Sequence, residues 1–337
     1  FLNMIKQPKF WTNKNFISNI LLPVSIIFLL LSKIRNLLQK KLKSKLFVIC
    51  IGNITIGGTG KTPTVMFFAE QIKKLDFKPI ILSKGYGGKL TGPKKVITKH
   101  KTFDVGDEAV MHSLYNETWI SKKRSKAIRM IEKQSSNKSL ILMDDGLQNN
   151  SIYQDLKICI FDGNMGLGNS RILPSGPLRE SLISGLKKTN IAIIIGEDKN
   201  NIQQTILKNR EHVNVYNGVF VPDKNTIQEL NSKKLYAFAG IGIPDKFYEL
   251  LKSFNLNLIK TKSFPDHYKY KEHDLQKLVK ESKELKLKLI TTEKDYIKIK
   301  EIVPNISNQI IPLKIKLKIN NKDQLIEKIK SAIYEKN

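Results

Sequence analysis

Lys61 and Thr62 close a glycine-rich turn, Thr55-Ile56-Gly57-Gly58-Thr59-Gly60, that follows the apolar, β-rich run Leu46 to Ile51. These residue types at this spacing suit the capture of a polyphosphate. Glycines let the backbone curl so that successive N–H groups face one anion. A helix opening at Thr62-Pro63-Thr64 adds the partial positive charge of its N-terminus. Lys61 can reach the outer phosphates of a nucleotide, and the Thr62 hydroxyl can ligate Mg²⁺. About 80 residues on, the apolar run Ser139 to Met143 ends in Asp144-Asp145-Gly146-Leu147-Gln148. A strand closing on aspartate supplies the carboxylate that holds Mg²⁺ directly or through water. The chemistry implied is that of a Mg²⁺–nucleotide. One position departs from the common pattern, since Thr55 stands where the first glycine usually lies.

Other chemistry-bearing residues are fewer. Arginine occurs only at 35, 124, 129, 171, 179 and 210, although the 337-residue chain carries a formal charge of +28. Such a charge suggests an anionic partner: nucleic acid, anionic lipid or a phosphorylated ligand. Nearly all of it is lysine, in a chain also rich in Asn and Ile, which a biased base composition would produce. No nucleic-acid recognition motif or aromatic stacking platform accompanies it. The loop from Arg171 to Glu180 (RILPSGPLRE) sets two arginines and a glutamate among prolines and glycine. Of five histidines, His100, His112, His212 and His273 lie in lysine-rich or helical contexts and read as surface or structural. His267 sits between Asp266 and Tyr268 on a loop. Cys50 and Cys159 fall in apolar strand-like runs without metal-ligand spacing and read as buried thiols.

The elements that must position these residues alternate. Strands are predicted at 46–51, 78–82, 139–143, 156–161, 191–195, 213–222, 235–239, 256–261, 288–291 and 310–319, with helical patterns between most of them. That alternation predicts an α/β protein with a doubly wound parallel sheet. The expected division is an N-terminal segment 1–14, a membrane-anchoring helix 15–32, a P-loop domain 33–217, a smaller α/β domain 218–319 and a C-terminal helix 320–337. Asn15 to Ser32 holds no charge, and a basic flank follows at Lys33, Arg35, Lys40, Lys41, Lys43 and Lys45. This pattern predicts an anchor kinked at Pro23, with the rest of the chain on the cytoplasmic side. An interfacial helix is the alternative. The chain opens on Phe, and Met4 is the expected initiator.

Two resemblances refine this. IGGTGKT resembles the variant phosphate loop of partitioning and nitrogenase-type ATPases, but Ile56 replaces that class's extra lysine. More specifically, GNITIGGTGKTP, LSKGYGG, VGDE, LMDDGLQ, RILPSGPLRE, FAGIG, FPDHYKY and TTEKD occur in the order found in the tetraacyldisaccharide 4′-kinase (lipid A 4′-kinase) family. The resemblance implies a P-loop NTPase-type fold and transfer of the ATP γ-phosphate to the 4′-hydroxyl of a tetraacyl-disaccharide 1-phosphate. It implies ATP on Thr55, Ile56, Gly57, Gly58, Thr59, Gly60, Lys61 and Thr62. Mg²⁺ would lie near Thr62, Asp144, Asp145, Gln148 and Glu180. Asp107 and His267 match the pair that would activate the sugar hydroxyl. Lys84, Tyr86, Glu108, Arg124, Arg171 and Arg179 would position substrate or phosphate. Lys84 departs from the family's usual arginine and offers a point charge in place of a bidentate fork. Asn149, Ser181 and Ile243 are further departures. The expected setting is the bacterial inner membrane, cytoplasmic face, with the lipid precursor and an anionic lipid surface as partners, no nucleic acid, and a monomeric chain. A membrane-attached P-loop ATPase of partitioning or transport type is the alternative function.

Overall fold

The computed structural model describes residues 8–336, so the expected initiator Met4 and the rest of the segment before Pro8 lie outside the described residues. The strands are β1 (Phe47–Gly52), β2 (Lys78–Ser83), β3 (Lys94–Lys95), β4 (Glu117–Ile120), β5 (Ser139–Asp144), β6 (Leu156–Asp162), β7 (Ile191–Ile195), β8 (Asn214–Pro222), β9 (Leu235–Ala239), β10 (Leu258–Ser263), β11 (Lys288–Thr292), β12 (Ile310–Leu313) and β13 (Ile315–Ile319). They form a nine-stranded sheet, β13-β8-β7-β6-β1-β5-β2-β4-β3, and a four-stranded one, β10-β9-β11-β12. From β8 to β4 the large sheet is parallel; both edge strands, β3 and β13, run antiparallel to their neighbours. The protein is therefore mixed α/β with a large, mainly parallel sheet.

Period-two alternation along β1 explains why this sheet is covered on both faces. Val48 and Cys50 point into one core, with Ile128, Ile131, Leu186 and Ile206 from helices on that side. Phe47, Ile49 and Ile51 point into the other, with Phe68 and Ile72 from helix Lys61–Lys74. The C-terminal helix Lys322–Tyr334 returns to this second face and fully buries Leu325, Ile329 and Ile333. Each such side chain contributes about 2 kcal/mol relative to exposure, which fixes the tail on the large sheet.

Three details differ from the sequence reading. Residues 310–319 are two strands: β12 joins the small sheet, and after Lys314 β13 pairs antiparallel with β8. Strand β8 runs through the expected boundary at 217/218, so the chain leaves the large sheet only after Pro222. Strand β4, which carries the buried Trp119, gave no separate signal.

The largest correction concerns residues 15–32. They form not one apolar span but two helices, Phe16–Ile20 and Leu22–Leu37, broken at Leu21. Pro23 does not kink a helix; it occupies the first turn of the second one, where its missing N–H costs nothing. Among the described residues no helix is long and apolar enough to cross a membrane. At 16 residues the second helix is about 24 Å long, short of a hydrocarbon core of about 30 Å. Ser18 and Ser25 are buried against the protein, whereas Phe16, Ile20, Ile27, Leu31 and Leu38 are exposed.

Candidate functional site

The glycine turn lies at the carboxyl end of β1, where open α/β sheets place their ligands. Helix Lys61–Lys74 begins immediately after Gly60, whose φ of 80° lies in the left-handed region. A Cβ there would come within 2.3 Å of the Phe220 ring, so this turn requires glycine both for conformation and for space. Thr55 pairs with Leu178, and the Ile56 N–H donates to the Pro177 carbonyl at 2.8 Å. The phosphate loop is thereby stitched to the Arg171–Glu180 loop. Inside it, Asn53 donates to Thr59 Oγ1 at 2.9 Å and accepts from Lys61 Nζ at 3.3 Å.

The second strip of the site comes from β5 and the loop after it. Asp145, at φ 48°, accepts from Arg179 at 2.7 Å and lies 3.9 Å from Lys61 Nζ. Burial pushes its carboxyl up, but Lys61 and Arg179 outweigh that and bring it down to about 2. Gln148 donates to the Asn53 carbonyl and to Glu180 Oε1, both at 2.9 Å. Glu180 also pairs with Lys188 at 2.8 Å. Arg124 is buried beneath the turn, donating to the Asp144 and Asp145 carbonyls at 2.6 and 3.1 Å. Its burial lowers its pKa.

Asp144 is nearly inaccessible. Its Oδ2 lies 3.0 Å from His112 Nε2, and its Oδ1 is buried with no hydrogen-bond partner. No cluster of three or more His, Cys, Asp or Glu capable of holding a metal occurs among the described residues. Mg²⁺ does not need one: it keeps several waters and phosphate oxygens and takes one or two carboxylates. The orphaned Asp144 oxygen and the Thr62 hydroxyl at the start of the neighbouring helix fit that requirement.

A third group of residues converges from both sheets. His267 Nδ1 lies 2.9 and 3.1 Å from the two oxygens of Asp107, across 160 positions of sequence. Asp107 opens helix Asp107–Ser113 after Gly106, whose φ is 90° and where a Cβ would lie 2.2 Å from the Tyr86 carbonyl oxygen. Glycine at 106 thus lets the loop bearing Tyr86 lie against the start of this helix. The Tyr86 ring packs 5.2 Å from the His267 ring. His267 itself has φ 55°, and its N–H donates to the Gly240 carbonyl at 3.2 Å. Gly240 is held in turn by Asp295, which accepts from its N–H at 2.9 Å. Burial works to raise the Asp107 carboxyl, yet Lys294 and His267 hold it well below the usual carboxylate range.

This group sits beside the phosphate loop. A Cβ on Gly242 would lie 3.5 Å from the Gly58 nitrogen and 3.4 Å from Asp266 Oδ2. Lys246, from the helix that follows, donates to the Gly58 carbonyl at 3.2 Å and pairs with Asp162 at the end of β6. The segment between the two crossings of β8 and β13 thus rests directly on the phosphate loop.

One expected residue is placed elsewhere. Arg171 does not join the phosphate loop; it donates to Ser18 Oγ at 2.9 Å, beside Ser175, whose hydroxyl donates to the Ser18 carbonyl at 2.5 Å. Its neighbourhood is the seam with the N-terminal helices, where Ser25 donates to the Ile172 carbonyl at 2.9 Å. Lys84 is exposed. Four residues escaped the sequence reading. Asn53 and Lys246 carry no signature of their own. His112 read as surface or structural but is 0% exposed and touches Asp144. Lys294 lay inside the recognised run TTEKD without an assigned role, and its ammonium lies 3.2 Å from Glu108 and 3.4 Å from His267 Nε2. A lysine set between two acids, Glu293 and Asp295, was the available signal.

Comparisons with known proteins point to one family. The family model described as Tetraacyldisaccharide-1-P 4'-kinase matches residues 17–334. The chain is similar to the tetraacyldisaccharide 4'-kinase of Rickettsia akari (strain Hartford), at 34% identity over 329 residues, 97% of this chain and 98% of that protein. The Rickettsia canadensis (strain McKiel) counterpart is 35% identical over 330 residues, 97% and 98% of the two chains. Among solved structures, LpxK from Aquifex aeolicus in complex with ATP is 25% identical, covers 95% of this chain and 100% of its own, and superposes with a TM-score of 0.73.

Proposed function

This chain belongs to the tetraacyldisaccharide-1-P 4'-kinase family, and from that premise we propose how its own residues carry out the transfer. The enzyme is an ATP-dependent kinase that phosphorylates the 4′-hydroxyl of a tetraacyl-disaccharide 1-phosphate. The observation that carries the reading is the His267–Asp107 pair standing beside the phosphate loop, with Asp266 and Gly58 both against Gly242.

The fold is of P-loop NTPase type, doubly wound, with residues 223–314 forming the smaller unit. Backbone N–H groups of residues 57–62 cradle the nucleotide phosphates, and Lys61 and Arg179 neutralise charge on the phosphoryl group in flight. Asp144 and Thr62 would hold Mg²⁺, which, when bound, neutralises charge on the phosphate oxygens. Asp145, Gln148 and Glu180 orient the groups around it. On the acceptor side, Asp107 fixes the His267 ring and His267 takes the proton of the sugar hydroxyl. General-base help of this kind is worth about 10²–10⁴ in rate. Arg124 holds the Asp144–Asp145 turn from below, and Tyr86 and Glu108 brace the pair. The rest is location. The exposed apolar side of the two N-terminal helices would lie in the interface of the inner membrane, cytoplasmic face, confining enzyme and lipid together. Failure of the full chain to float with anionic phospholipid vesicles would remove that part of the reading.

The test of function is phosphorylation of tetraacyl-disaccharide 1-phosphate by the purified full chain in detergent micelles with Mg·ATP. A bisphosphorylated lipid is expected, formed in proportion to ADP. ATP hydrolysis indifferent to the lipid would instead favour a membrane-attached ATPase.

A further inference from the structure

Lys294 stands at the second residue of helix Glu293–Ile302, capped by Thr292, and its side chain is only 16% exposed. Three acceptors surround its ammonium: Glu108 Oε1 at 3.2 Å, His267 Nε2 at 3.4 Å and Asp107 Oδ2 at 3.7 Å. Burial alone would lower its pKa, but the Glu108, Asp107 and Asp266 carboxylates outweigh burial and raise it above the usual lysine range. Lys294 is therefore an ammonium, a donor with no acceptor capacity.

That chemistry constrains the imidazole. A ring nitrogen facing an ammonium must present a lone pair, because an N–H there would set donor against donor. On the opposite side, Asp107 is a carboxylate, an acceptor only, 2.9 Å from Nδ1. Both neighbours demand the same arrangement, a proton on Nδ1 and none on Nε2. The remaining groups facing the ring are Asp266, whose Oδ1 is 3.9 Å from Nε2, and the Tyr86 ring. Asp266 pulls the other way, towards a proton on Nε2, but from farther off than Lys294. Lys298, one turn along the same helix, adds positive charge near Asp107 and is engaged by Asp295 at 2.7 Å.

We propose that Lys294 is a positioning residue: it holds the proton of His267 on Nδ1 and keeps Nε2 as the unprotonated nitrogen that receives the acceptor proton. Asp107 alone cannot guarantee this. With Lys294 removed, the ring faces Asp107 and Asp266 without the ammonium beside Nε2, and a second proton on Nε2 becomes favourable. A ring carrying both protons has no basic site. This inference rests on His267 acting as the base.

The test separates the two claims. In ¹⁵N-histidine-labelled full chain in micelles near pH 7.5, with the His267 signals identified by their loss in His267→Gln, wild type is expected to show a protonated Nδ1 and an unprotonated Nε2. Lys294→Met should move Nε2 to the protonated signature at that pH. It should also shift the acidic limb of the kcat profile to higher pH and lower kcat at neutrality by about tenfold or more, within the range of general-base effects. ATP affinity should stay unchanged, which reports a folded nucleotide site. Lys294→Arg, which restores a cation, should recover the wild-type nitrogen signature. A protonated Nε2 in wild type, or unchanged nitrogen signals and pH profile in Lys294→Met, would overturn the proposal. Altered nitrogen signals with an unaltered kcat would leave Lys294 in its place and remove His267 from its role as base.

Discussion

His112 Nε2 lies 3.0 Å from Asp144 Oδ2, and both side chains are shut off from solvent. The same seven-residue helix that ends near His112 begins with Asp107, the partner of His267. One short rigid element thus reaches the candidate metal carboxylate at one end and the candidate base at the other.

Removing that contact should be felt as a metal effect. His112→Leu is expected to raise the Mg²⁺ concentration needed for half-maximal activity by about 10–100-fold, the usual cost of freeing a ligand from its outer partner. Saturating Mg²⁺ should restore most of kcat. A Mg²⁺ titration that superimposes on wild type would show that Asp144 needs no support from His112.

His267→Ala and Asp107→Ala should each lower kcat by about 10²–10⁴ while leaving ATP binding nearly intact. Because the two act as one unit, the double variant should be little worse than the poorer single. Steady-state kinetics with a nucleotide-binding measurement decides the matter. Fully additive losses, or an unchanged kcat in His267→Ala, would reduce His267 to a loop residue.

The two arginines of one loop should separate. Arg179, on Asp145 at 2.7 Å, belongs to the phosphate side. Arg179→Ala should therefore lower kcat, as should Lys61→Ala more severely. Arg171, on Ser18, belongs to the N-terminal seam. Arg171→Ala should loosen the N-terminal helices, seen as faster proteolysis before residue 38, while kcat on micellar substrate falls less than for Arg179→Ala. Equal kinetic losses in both variants would contradict the placement of Arg171.

Away from the site, Glu117 ties the edge of the large sheet together. It accepts from Lys78 and Trp119, and Lys95 lies 3.2 Å away. Burial tends to raise its carboxyl, but Lys78, Trp119 and Lys95 bring it from 4.5 to about 2. A carboxyl depressed in the folded state stabilises above its unfolded value and loses that contribution as pH falls from about 4.5 towards about 2. Glu117→Gln should cost about 1 kcal/mol near neutrality, or about 1–2 °C in Tm, after allowance for solvent screening. It should also flatten the acid loss of Tm relative to wild type. Parallel Tm–pH curves would mean that Glu117 carries no linked proton.

What the chain declared in its own sequence was local. A glycine turn between a strand and a helix is written in consecutive residues, as is an apolar strand ending in Asp144-Asp145. Alternating strands and helices also announced the two-faced sheet, because side-chain direction in a strand has period two. The C-terminal helix was legible from Leu325, Ile329 and Ile333, spaced to share one face. Partners brought together by folding were not. Nothing near His112 points to Asp144, 32 positions on, and nothing near Lys294 points to His267, 27 positions back. The role of a donor-only or acceptor-only group depends on what stands opposite it, and that is a property of the assembled loops. The N-terminal run shows the same limit from the apolar side. Its hydropathy suggested a span, but Ser18 and Ser25, minor entries in any average, meet Arg171, Ile172 and Ser175. Satisfying those buried polar groups turned the serines inward and the apolar side chains outward, an orientation that only tertiary contacts could decide.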